Sequence, residues 1–195
     1  MKKMIAVTGG IGSGKSCVLA CLAEMRYPIF SCDEIYKGVI LSPVYLQKIS
    51  EVFPQCIIEG QIDRKILAKI VFQNKEKLTL LNEIAHPFIM DALFSNMRIC
   101  ESALVFAEVP LLFEGNYENQ FDEVIVVLRN KEARVHSIMA RDNVTKEDAL
   151  NRIAMQFDYD NGENRFKNCN AILVENNGAL SDLKSKILAI VKQLS

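Results

Sequence analysis

A glycine-rich segment near the amino terminus carries the strongest chemical signal in the sequence. Residues 9–16 read GGIGSGKS and fit the pattern G-x-x-x-x-G-K-[ST]. Glycines let the backbone curl so that successive N–H groups point at phosphate oxygens, and a helix that begins near Lys15 adds the positive end of its dipole. Lys15 is then expected to contact the β- and γ-phosphates, and the Ser16 hydroxyl is the expected protein ligand of Mg²⁺. The segment therefore predicts binding of a nucleoside triphosphate with Mg²⁺.

This segment lies between a predicted strand and a predicted helix, which is where the phosphate-binding mechanism needs it. Five short apolar runs read as buried strands, at residues 4–8, 28–31, 103–107, 123–128 and 171–174. Segments of helical periodicity separate them, at residues 15–25, 35–52, 63–72, 87–100, 131–140, 146–157 and 181–194. The alternation predicts an α/β fold of the P-loop NTPase type, with a five-stranded parallel sheet and helices on both faces.

Three helix starts carry recognisable signals. Residues 145–148 read TKED, which is close to a capping box, and Ser181 is suited to cap the last helix. His86 and Pro87 read as the start of another helix, because proline fits the first helical turn. This placement predicts a packed or capping role for His86, with a substrate contact as the alternative.

Composition narrows the class of ligand. The chain has 23 basic and 24 acidic residues, scattered along it, so it shows no basic patch for nucleic acid or for an anionic membrane. The apolar run after Lys3 is too short for a signal peptide or a spanning helix. The six cysteines form neither a C-x-x-C pair nor a zinc-site spacing. We expect a cytoplasmic protein with reduced thiols and a small-molecule substrate.

Two carboxylates follow predicted strands. Asp33 follows the second strand and Glu108 ends the third, so both are expected at the sheet edge where the phosphate loop lies. Asp33 can orient or deprotonate an acceptor hydroxyl there, and Glu108 can hold Mg²⁺-bound water or a substrate group. The alternatives are a helix N-cap for Asp33 and a solvated strand end for Glu108.

An arginine group surrounds two predicted helices and the turn between them: Arg134, Arg141, Arg152 and Arg165. An arginine that closes over a triphosphate neutralises charge on the transferring phosphoryl group and excludes water. Arg141 is the first candidate for this role and Arg152 the second. Any one of them alone is better explained as an exposed helix residue, so the hypothesis of a lid depends on the group.

A GTP-hydrolysing switch is a competing class of P-loop protein. Such a switch normally reads guanine with N-K-x-D, whose carboxylate accepts hydrogen bonds from the base. Residues 130–133 read NKEA, so an alanine stands where the carboxylate is needed. The remaining classes are a small-molecule kinase and an ATP-binding module without transfer activity.

Several separate stretches resemble the dephospho-coenzyme A kinase family, and together they extend over nearly the whole chain. They are VTGGIGSGKS at 7–16, LNEIAHP at 81–87, VPLLFE at 109–114, RDNVT at 141–145 with Arg152, Ile153 and Gln156, and NNG at 176–178. The chain departs from the family pattern where Cys17 stands for threonine, Ser31 and Glu108 for aspartate, and Ser137 for arginine. The last departure leaves Arg134 as an alternative source of positive charge.

The resemblance implies transfer of the γ-phosphoryl group of ATP to the ribose 3′-hydroxyl of dephospho-coenzyme A, giving coenzyme A and ADP. This is the last step of coenzyme A biosynthesis. The motif positions assign catalysis to Asp33, Lys15 and Arg141. They assign nucleotide binding to Gly10, Gly12, Ser13, Gly14, Lys15, Ser16, Cys17, Asn176 and Gly178. They assign acceptor binding to Thr8, Asp33, His86 and Arg152, and the metal to Ser16 and Glu108.

The sequence is thus expected to form a single P-loop kinase domain over residues 1–195. Its nucleotide-binding core is assigned to residues 1–41, 103–130 and 168–195, a helical acceptor-binding lobe to 42–102 and a lid to 131–167. We expect a monomer or a weak homo-oligomer that binds neither nucleic acid nor membrane. A nucleoside monophosphate or shikimate kinase shares this loop and sheet, and only the acceptor distinguishes them.

Overall fold

The computed structural model describes residues 2–72 and 74–195. The chain divides into two compact units, one built from the residues up to Phe30 together with Cys100–Ser195, and the other from Ser31–Ile99. Within the described ranges, no helix combines the length and the apolar character that crossing a membrane requires.

Strands and helices alternate along the described chain. The strands are β1 (Lys3–Thr8), β2 (Ile29–Ser31), β3 (Ile57–Ile58), β4 (Gln61–Ile62), β5 (Leu104–Glu108), β6 (Glu123–Leu128) and β7 (Ile172–Glu175). The α-helices are α1 (Lys15–Glu24), α2 (Cys32–Val39), α3 (Pro43–Val52), α4 (Arg64–Phe72), α5 (Lys75–Ile99), α6 (Lys131–Asp142), α7 (Lys146–Ala154), α8 (Glu163–Asn168) and α9 (Leu180–Leu194). The five predicted strands are confirmed to within one residue at each end.

The main sheet has the strand order β2-β5-β1-β6-β7 and is parallel, as predicted. Strand β1 lies at its centre, where Ile5 aligns with Phe106 of β5 and Val7 with Ile125 of β6. Both faces of the central strand are buried, since Ile5 and its neighbour Ala6 are fully inaccessible. This double burial explains why the strands read as continuous apolar runs without alternation.

One face of the sheet packs against the first and last helices. Val18 and Leu22 of α1, with Leu183 and Ile187 of α9, join the sheet residues in one hydrophobic cluster. Burial of these large aliphatic side chains stabilises the unit by about 1.5–3 kcal/mol each. The same packing fixes the start of α1 directly after the loop that follows β1.

Helix starts correct part of the sequence interpretation. The predicted helix 35–52 is two helices, because the chain turns before Pro43, which occupies the first turn of α3. Ser31 is the N-cap residue of α2, so Asp33 lies inside the first turn and is not the cap. Ser181 is also not a cap, because α9 begins one residue earlier with Ala179 at the N-cap. The capping box of Thr145 and Asp148 is confirmed at α7.

The described part of the second unit contains, besides its helices, a hairpin that the sequence interpretation missed. Strands β3 and β4 pair antiparallel around Glu59 and Gly60, both of which have positive φ (48° and 75°). Each strand has two residues, which is too short to show a period-2 pattern. Helices α3, α4 and α5 contribute Tyr45, Leu67 and Ala85 to one hydrophobic cluster. Burial raises the pKa of Tyr45, whose hydroxyl lies 3.2 Å from that of Tyr36 in α2.

His86 and Pro87 lie in the interior of α5, so the predicted helix start at this point is wrong. The helix begins at Lys75 and continues through Pro87 to Ile99. Proline there cannot donate the hydrogen bond that an interior residue gives to the carbonyl group four residues before it, here that of Glu83. Burial lowers the pKa of the half-buried His86, which favours its neutral form.

We expect Pro87→Ala to raise the free energy of unfolding by about 1–3 kcal/mol, because it restores an interior helix hydrogen bond and removes the clash of the proline ring. Thermal and denaturant unfolding of both proteins would measure the change. Ser95→Ala, at an exposed position of the same helix, controls for helix propensity and should add only about 0.5 kcal/mol. Equal or lower stability of the Pro87 variant would show that α5 is adapted to the proline.

Candidate active site

The glycine-rich loop connects β1 to α1 and ends at the amino terminus of that helix. Gly14 is the N-cap residue, with φ 91°, and no side chain caps the helix. The first hydrogen bonds of α1 run from the N–H groups of Cys17 and Val18 to the Gly14 carbonyl group, at 2.9 and 3.4 Å. The N–H groups of Lys15 and Ser16 therefore precede the helical ladder and belong to the donors at its positive end. This arrangement favours a bound anion.

Gly12 is constrained by both backbone conformation and space. Its φ is +77°, and a Cβ atom there would lie 2.7 Å from the carbonyl oxygen of Arg134. Gly14 is similarly restricted, since a Cβ atom there would collide with the side-chain nitrogen of Asn176. The loop follows this path because it has no side chains at these two positions.

Ile11 holds the loop against residues 131–167, the region expected to form the lid. Its side chain joins a hydrophobic cluster with Val135 of α6 and Ala149 of α7. Its N–H group donates to Gln156 Oε1 at 2.6 Å. Its carbonyl oxygen accepts from Arg134 Nε at 3.1 Å. Both backbone polar groups and the side chain of Ile11 are thus fixed by the same region of the chain.

Two arginines contact loop carbonyl groups, and the sequence interpretation gave neither of them this role. Arg134 is 2% exposed, and its guanidinium group lies against Gly10. Arg129 Nη1 donates to the Gly12 carbonyl oxygen at 3.3 Å and to Ser137 Oγ at 2.9 Å. A sequence signal for Arg134 does exist, because it stands four residues before Ile138 and so shares the apolar stripe of α6.

Tyr159 ties the end of β1 to an aromatic cluster. Its hydroxyl lies 3.0 Å from Thr8 Oγ1, and both residues are buried. Burial raises the pKa of Tyr159 to about 12, so the phenol stays protonated at neutral pH. The ring packs with Phe113, Phe157 and Phe166, whose centroids lie 5.9, 5.2 and 6.3 Å away. The Thr8 hydroxyl, assigned to acceptor binding by the resemblance, is therefore engaged with the protein.

The loop that follows β7 contacts the other side of the phosphate loop. Asn176 Nδ2 donates to the Ser13 carbonyl oxygen at 2.9 Å. Asn177 Oδ1 accepts from the Asn130 N–H group at 2.8 Å, which joins this loop to the start of α6. Gly178 follows at the end of the motif. Of the residues expected near adenine, the structure brings Asn176 into direct contact with the phosphate loop.

Lys15 is surrounded by charges of both signs. Its ammonium group donates to the carbonyl oxygens of Gly9 and Gly10, at 2.8 and 3.4 Å. Burial lowers the pKa of Lys15, the negative charge of Glu108 raises it, and the positive charges of Arg134 and Arg141 lower it. The charges of two candidate site residues, Glu108 and Arg141, thus both influence the pKa of the loop lysine.

The donors present fit a phosphate chain. Ser13 Oγ is buried and has no hydrogen-bond partner among the described residues. Ser16 and Cys17 are exposed at the start of α1, so the Ser16 hydroxyl is accessible to a hard cation. Across residues 2–72 and 74–195, no group of three or more His, Cys, Asp or Glu side chains could hold a metal ion.

Arg141 and Arg152 share one carboxylate. Arg141 donates to both oxygens of Asp142, with Nε–Oδ1 and Nη2–Oδ2 distances of 2.7 and 2.9 Å. Arg152 Nη1 donates to Asp142 Oδ2 at 2.5 Å. The bond from Arg141 and its positive charge lower the pKa of Asp142, and Arg152 adds to the effect. The two candidate lid arginines are thus held together by Asp142.

Asp33 belongs to the second unit, where it lies exposed in the first turn of α2. It stands two residues after β2, as the sequence interpretation required of a carboxylate at a strand end. His86 lies on α5 of the same unit.

We expect Gly12→Ala to weaken Mg-ATP binding by at least about tenfold and to lower the melting temperature. Alanine is strained at the positive φ of this position, and its methyl group would collide with the Arg134 carbonyl oxygen. Isothermal titration calorimetry and thermal unfolding would measure both effects. Gly38→Ala is the matched control, since nothing lies within 4 Å of a Cβ atom there. Normal binding by the Gly12 variant would contradict the importance of this loop path.

Comparison with known proteins agrees with this geometry. The model of the family "Dephospho-CoA kinase" matches residues 3–182. The chain is 33% identical over 192 residues to a dephospho-CoA kinase of Thermus thermophilus, covering 98% of this chain and 92% of that one. It is 35% identical over 186 residues to that of Fusobacterium nucleatum, covering 94% of each.

Solved structures give the same result. A crystal structure of a Thermus thermophilus protein superposes with a TM-score of 0.80 at 32% identity, covering 100% of this chain and 98% of that one. Dephospho-CoA kinase from Campylobacter jejuni superposes with a TM-score of 0.65 at 26% identity, covering 100% of this chain and 98% of that one. Shikimate kinase from Acinetobacter baumannii shares the fold, with a TM-score of 0.57 at 18% identity, covering 99% of this chain and 94% of that one. The chain belongs to the dephospho-CoA kinase family, a family of nucleotide-using P-loop kinases.

Proposed function

We propose that this protein transfers the γ-phosphoryl group of ATP to the ribose 3′-hydroxyl of dephospho-coenzyme A, giving coenzyme A and ADP. The observation that carries the proposal is the family match over residues 3–182, which includes an intact phosphate loop. A nucleoside monophosphate kinase and a shikimate kinase share the fold but fall outside this family. An ATP-binding module without transfer activity would need the phosphate loop but no residues that bind an acceptor.

The loop residues bind and orient the phosphates in this proposal. The N–H groups of Lys15 and Ser16 and the Lys15 ammonium group replace part of the water around the phosphate oxygens. The Lys15 ammonium group exchanges its bonds to Gly9 and Gly10 carbonyl oxygens for bonds to the β- and γ-phosphates. Because the donors are fixed before the nucleotide arrives, little reorganisation opposes the transfer step.

The proposed metal is Mg²⁺, with the Ser16 hydroxyl as its protein ligand and Glu108 holding metal-bound water. A bound Mg²⁺ would supply positive charge that offsets the negative charge of the phosphates during transfer. Support for Glu108 comes from its place at the end of β5, aligned with Val7, and from its charge, which acts on Lys15.

Asp33 is the proposed general base. It accepts the proton of the 3′-hydroxyl as that oxygen forms a bond to the γ-phosphorus, and the bond from this phosphorus to the β–γ bridging oxygen breaks to release ADP. Its exposed carboxylate in the first turn of α2 supports this role, since a base must be accessible to the acceptor. Thr8, His86 and Arg152 are proposed to bind the acceptor, and the Thr8 hydroxyl is held by Tyr159.

Arg141 is the proposed stabiliser of charge on the transferring phosphoryl group. Its side chain is 63% exposed and its charge already acts on Lys15. Asp142 competes with phosphate for the same guanidinium group. Arg134, the alternative left open by Ser137, instead bonds the Ile11 carbonyl oxygen from a buried position.

The Asn176–Gly178 loop is proposed to contact adenine. A cytoplasmic location and a monomeric or weakly associating state stay predictions from the sequence.

The first test is acceptor-dependent release of ADP from Mg-ATP. We expect release to require dephospho-coenzyme A, with coenzyme A appearing in equal amount, because the reaction converts one acceptor for each ATP. AMP and shikimate serve as control acceptors, since P-loop kinases of similar fold use such acceptors. ADP release that depends on AMP or shikimate would show that this compound is the acceptor, and dephospho-coenzyme A is not. ATP binding without transfer to any acceptor would favour an ATP-binding module without transfer activity.

Asp33→Asn tests the general base. We expect the dissociation constant of ATP to be unchanged and kcat to fall by roughly 10²–10⁴, the range for loss of a positioned base. Glu34→Gln is the matched control, because Glu34 is the exposed neighbour in the same helical turn and pairs with Lys37. Wild-type turnover by the Asp33 variant would remove this residue from the mechanism.

A further inference from the structure

Arg134 is a buried cation beside the phosphate loop. Its side chain is 3% exposed, and a Cβ atom at Gly10 would lie 2.7 Å from its guanidinium carbon. The guanidinium group therefore rests directly on the loop backbone. Its Nε atom donates to the Ile11 carbonyl oxygen, which satisfies one donor but leaves the positive charge in place. A buried charge is unfavourable unless a counter-ion compensates it.

Asp160 provides only part of that compensation. Its Oδ1 atom lies 3.5 Å from Arg134 Nη1, and its side chain is 47% exposed. Charge-assisted hydrogen bonds between arginine and carboxylate are usually about 2.7–2.9 Å long. A longer, half-exposed pair is screened by water on the carboxylate side. Asp160 thus neutralises the positive charge of Arg134 only in part.

The field of Arg134 extends to the group expected to bind phosphate. Burial is the main reason why the pKa of Lys15 is lowered, and the positive charge of Arg134 lowers it further. A charge that acts on the Lys15 ammonium group also acts on an anion that binds to that group. In a partly buried site such an interaction is several times stronger than in water.

We infer that Arg134 is a positioning residue for the nucleotide: it fixes the loop backbone, its incompletely neutralised charge strengthens triphosphate binding, and Asp160 limits that contribution. The inference rests on the proposed function only in that the loop binds a nucleoside triphosphate. The acceptor and the transfer step play no part in it.

Asp160 and the triphosphate therefore act on the same cation. Removal of the Asp160 charge leaves Arg134 with less compensation, so the folded protein loses stability. The same removal leaves more positive potential for the phosphates, so nucleotide affinity rises. A purely structural role of the pair predicts a loss of stability with unchanged or weaker binding, because a disturbed loop cannot bind better.

The experiment measures Mg-ATP affinity by calorimetry at two salt concentrations, with thermal unfolding of the same full-length variants. We expect Arg134→Gln to weaken binding by about tenfold and to reduce its salt dependence. Arg134→Lys, which keeps the charge, should bind within about threefold of the wild type. Asp160→Asn should bind about three- to tenfold more tightly while its melting temperature falls.

Two control variants separate a specific effect from a general one. Glu163→Gln removes an exposed negative charge in the first turn of α8 and should leave ATP affinity unchanged. Lys184→Gln removes a positive charge that pairs with Glu24 on the surface, so it should also leave ATP affinity unchanged. Unchanged or weaker ATP binding by Asp160→Asn would overturn the inference, and so would wild-type affinity of Arg134→Gln.

Two further outcomes are also decisive. If Arg134→Gln does not fold, the inference is decided by two other measurements. These are whether Asp160→Asn raises or lowers Mg-ATP affinity, and whether Arg134→Lys keeps it. If the wild type fails to bind ATP, this inference and the proposed function are both wrong. If the variants follow the expected pattern but no coenzyme A forms, only the proposed function is wrong.

Discussion

The fixed backbone of Ile11 is the constraint on which the nucleotide site depends. A phosphate loop binds with N–H groups, and such groups are useful only if their directions are set before the ligand arrives. The Ile11 N–H and carbonyl groups are bound by Gln156 and Arg134, and its side chain packs with α6 and α7. The loop itself is rich in glycine and has little intrinsic preference for one shape. Residues 131–167 therefore fix the loop conformation at Ile11.

Charge is arranged around this loop in two layers. Lys15, together with Glu108 and Arg141, whose charges act on it, forms the layer that we propose contacts phosphate and metal. Arg134 and Asp160 form a second layer under the loop backbone. The first layer has the composition of sites that contact phosphate directly, while the second is inferred to alter the electrostatic potential without contact. On this inference, nucleotide affinity depends partly on residues that touch neither substrate.

The sequence predicted the parts of the fold that depend on local pattern. The central strands were located because residues buried on both faces give continuous apolar runs, as in β1, β5 and β6. The loop was located because its glycines and Lys15 have a fixed spacing. Short or interrupted elements were not located: β3 and β4 have two residues each, and α5 continues through Pro87 because its packing outweighs the cost of proline in a helix.

The supporting contacts of the site could not be read from local pattern. Arg134 and Ile11 are 123 residues apart, and Tyr159 and Thr8 are 151 apart. Nothing in the spacing of the loop indicates which distant side chain fills the space beside Gly10. The sequence shows the charge of Arg134, which places it among the candidate lid arginines. Its burial on the apolar stripe of α6 depends on tertiary packing.

The contact between Asn176 and the Ser13 carbonyl group spans 163 residues. During synthesis the glycine-rich segment leaves the ribosome well before the distant side chains that shape it. Non-local contacts of this kind form late and slowly. A nascent chain therefore carries the complete phosphate-binding motif before its nucleotide site can form, and a bound nucleotide can stabilise the protein only after Asn176 has been made.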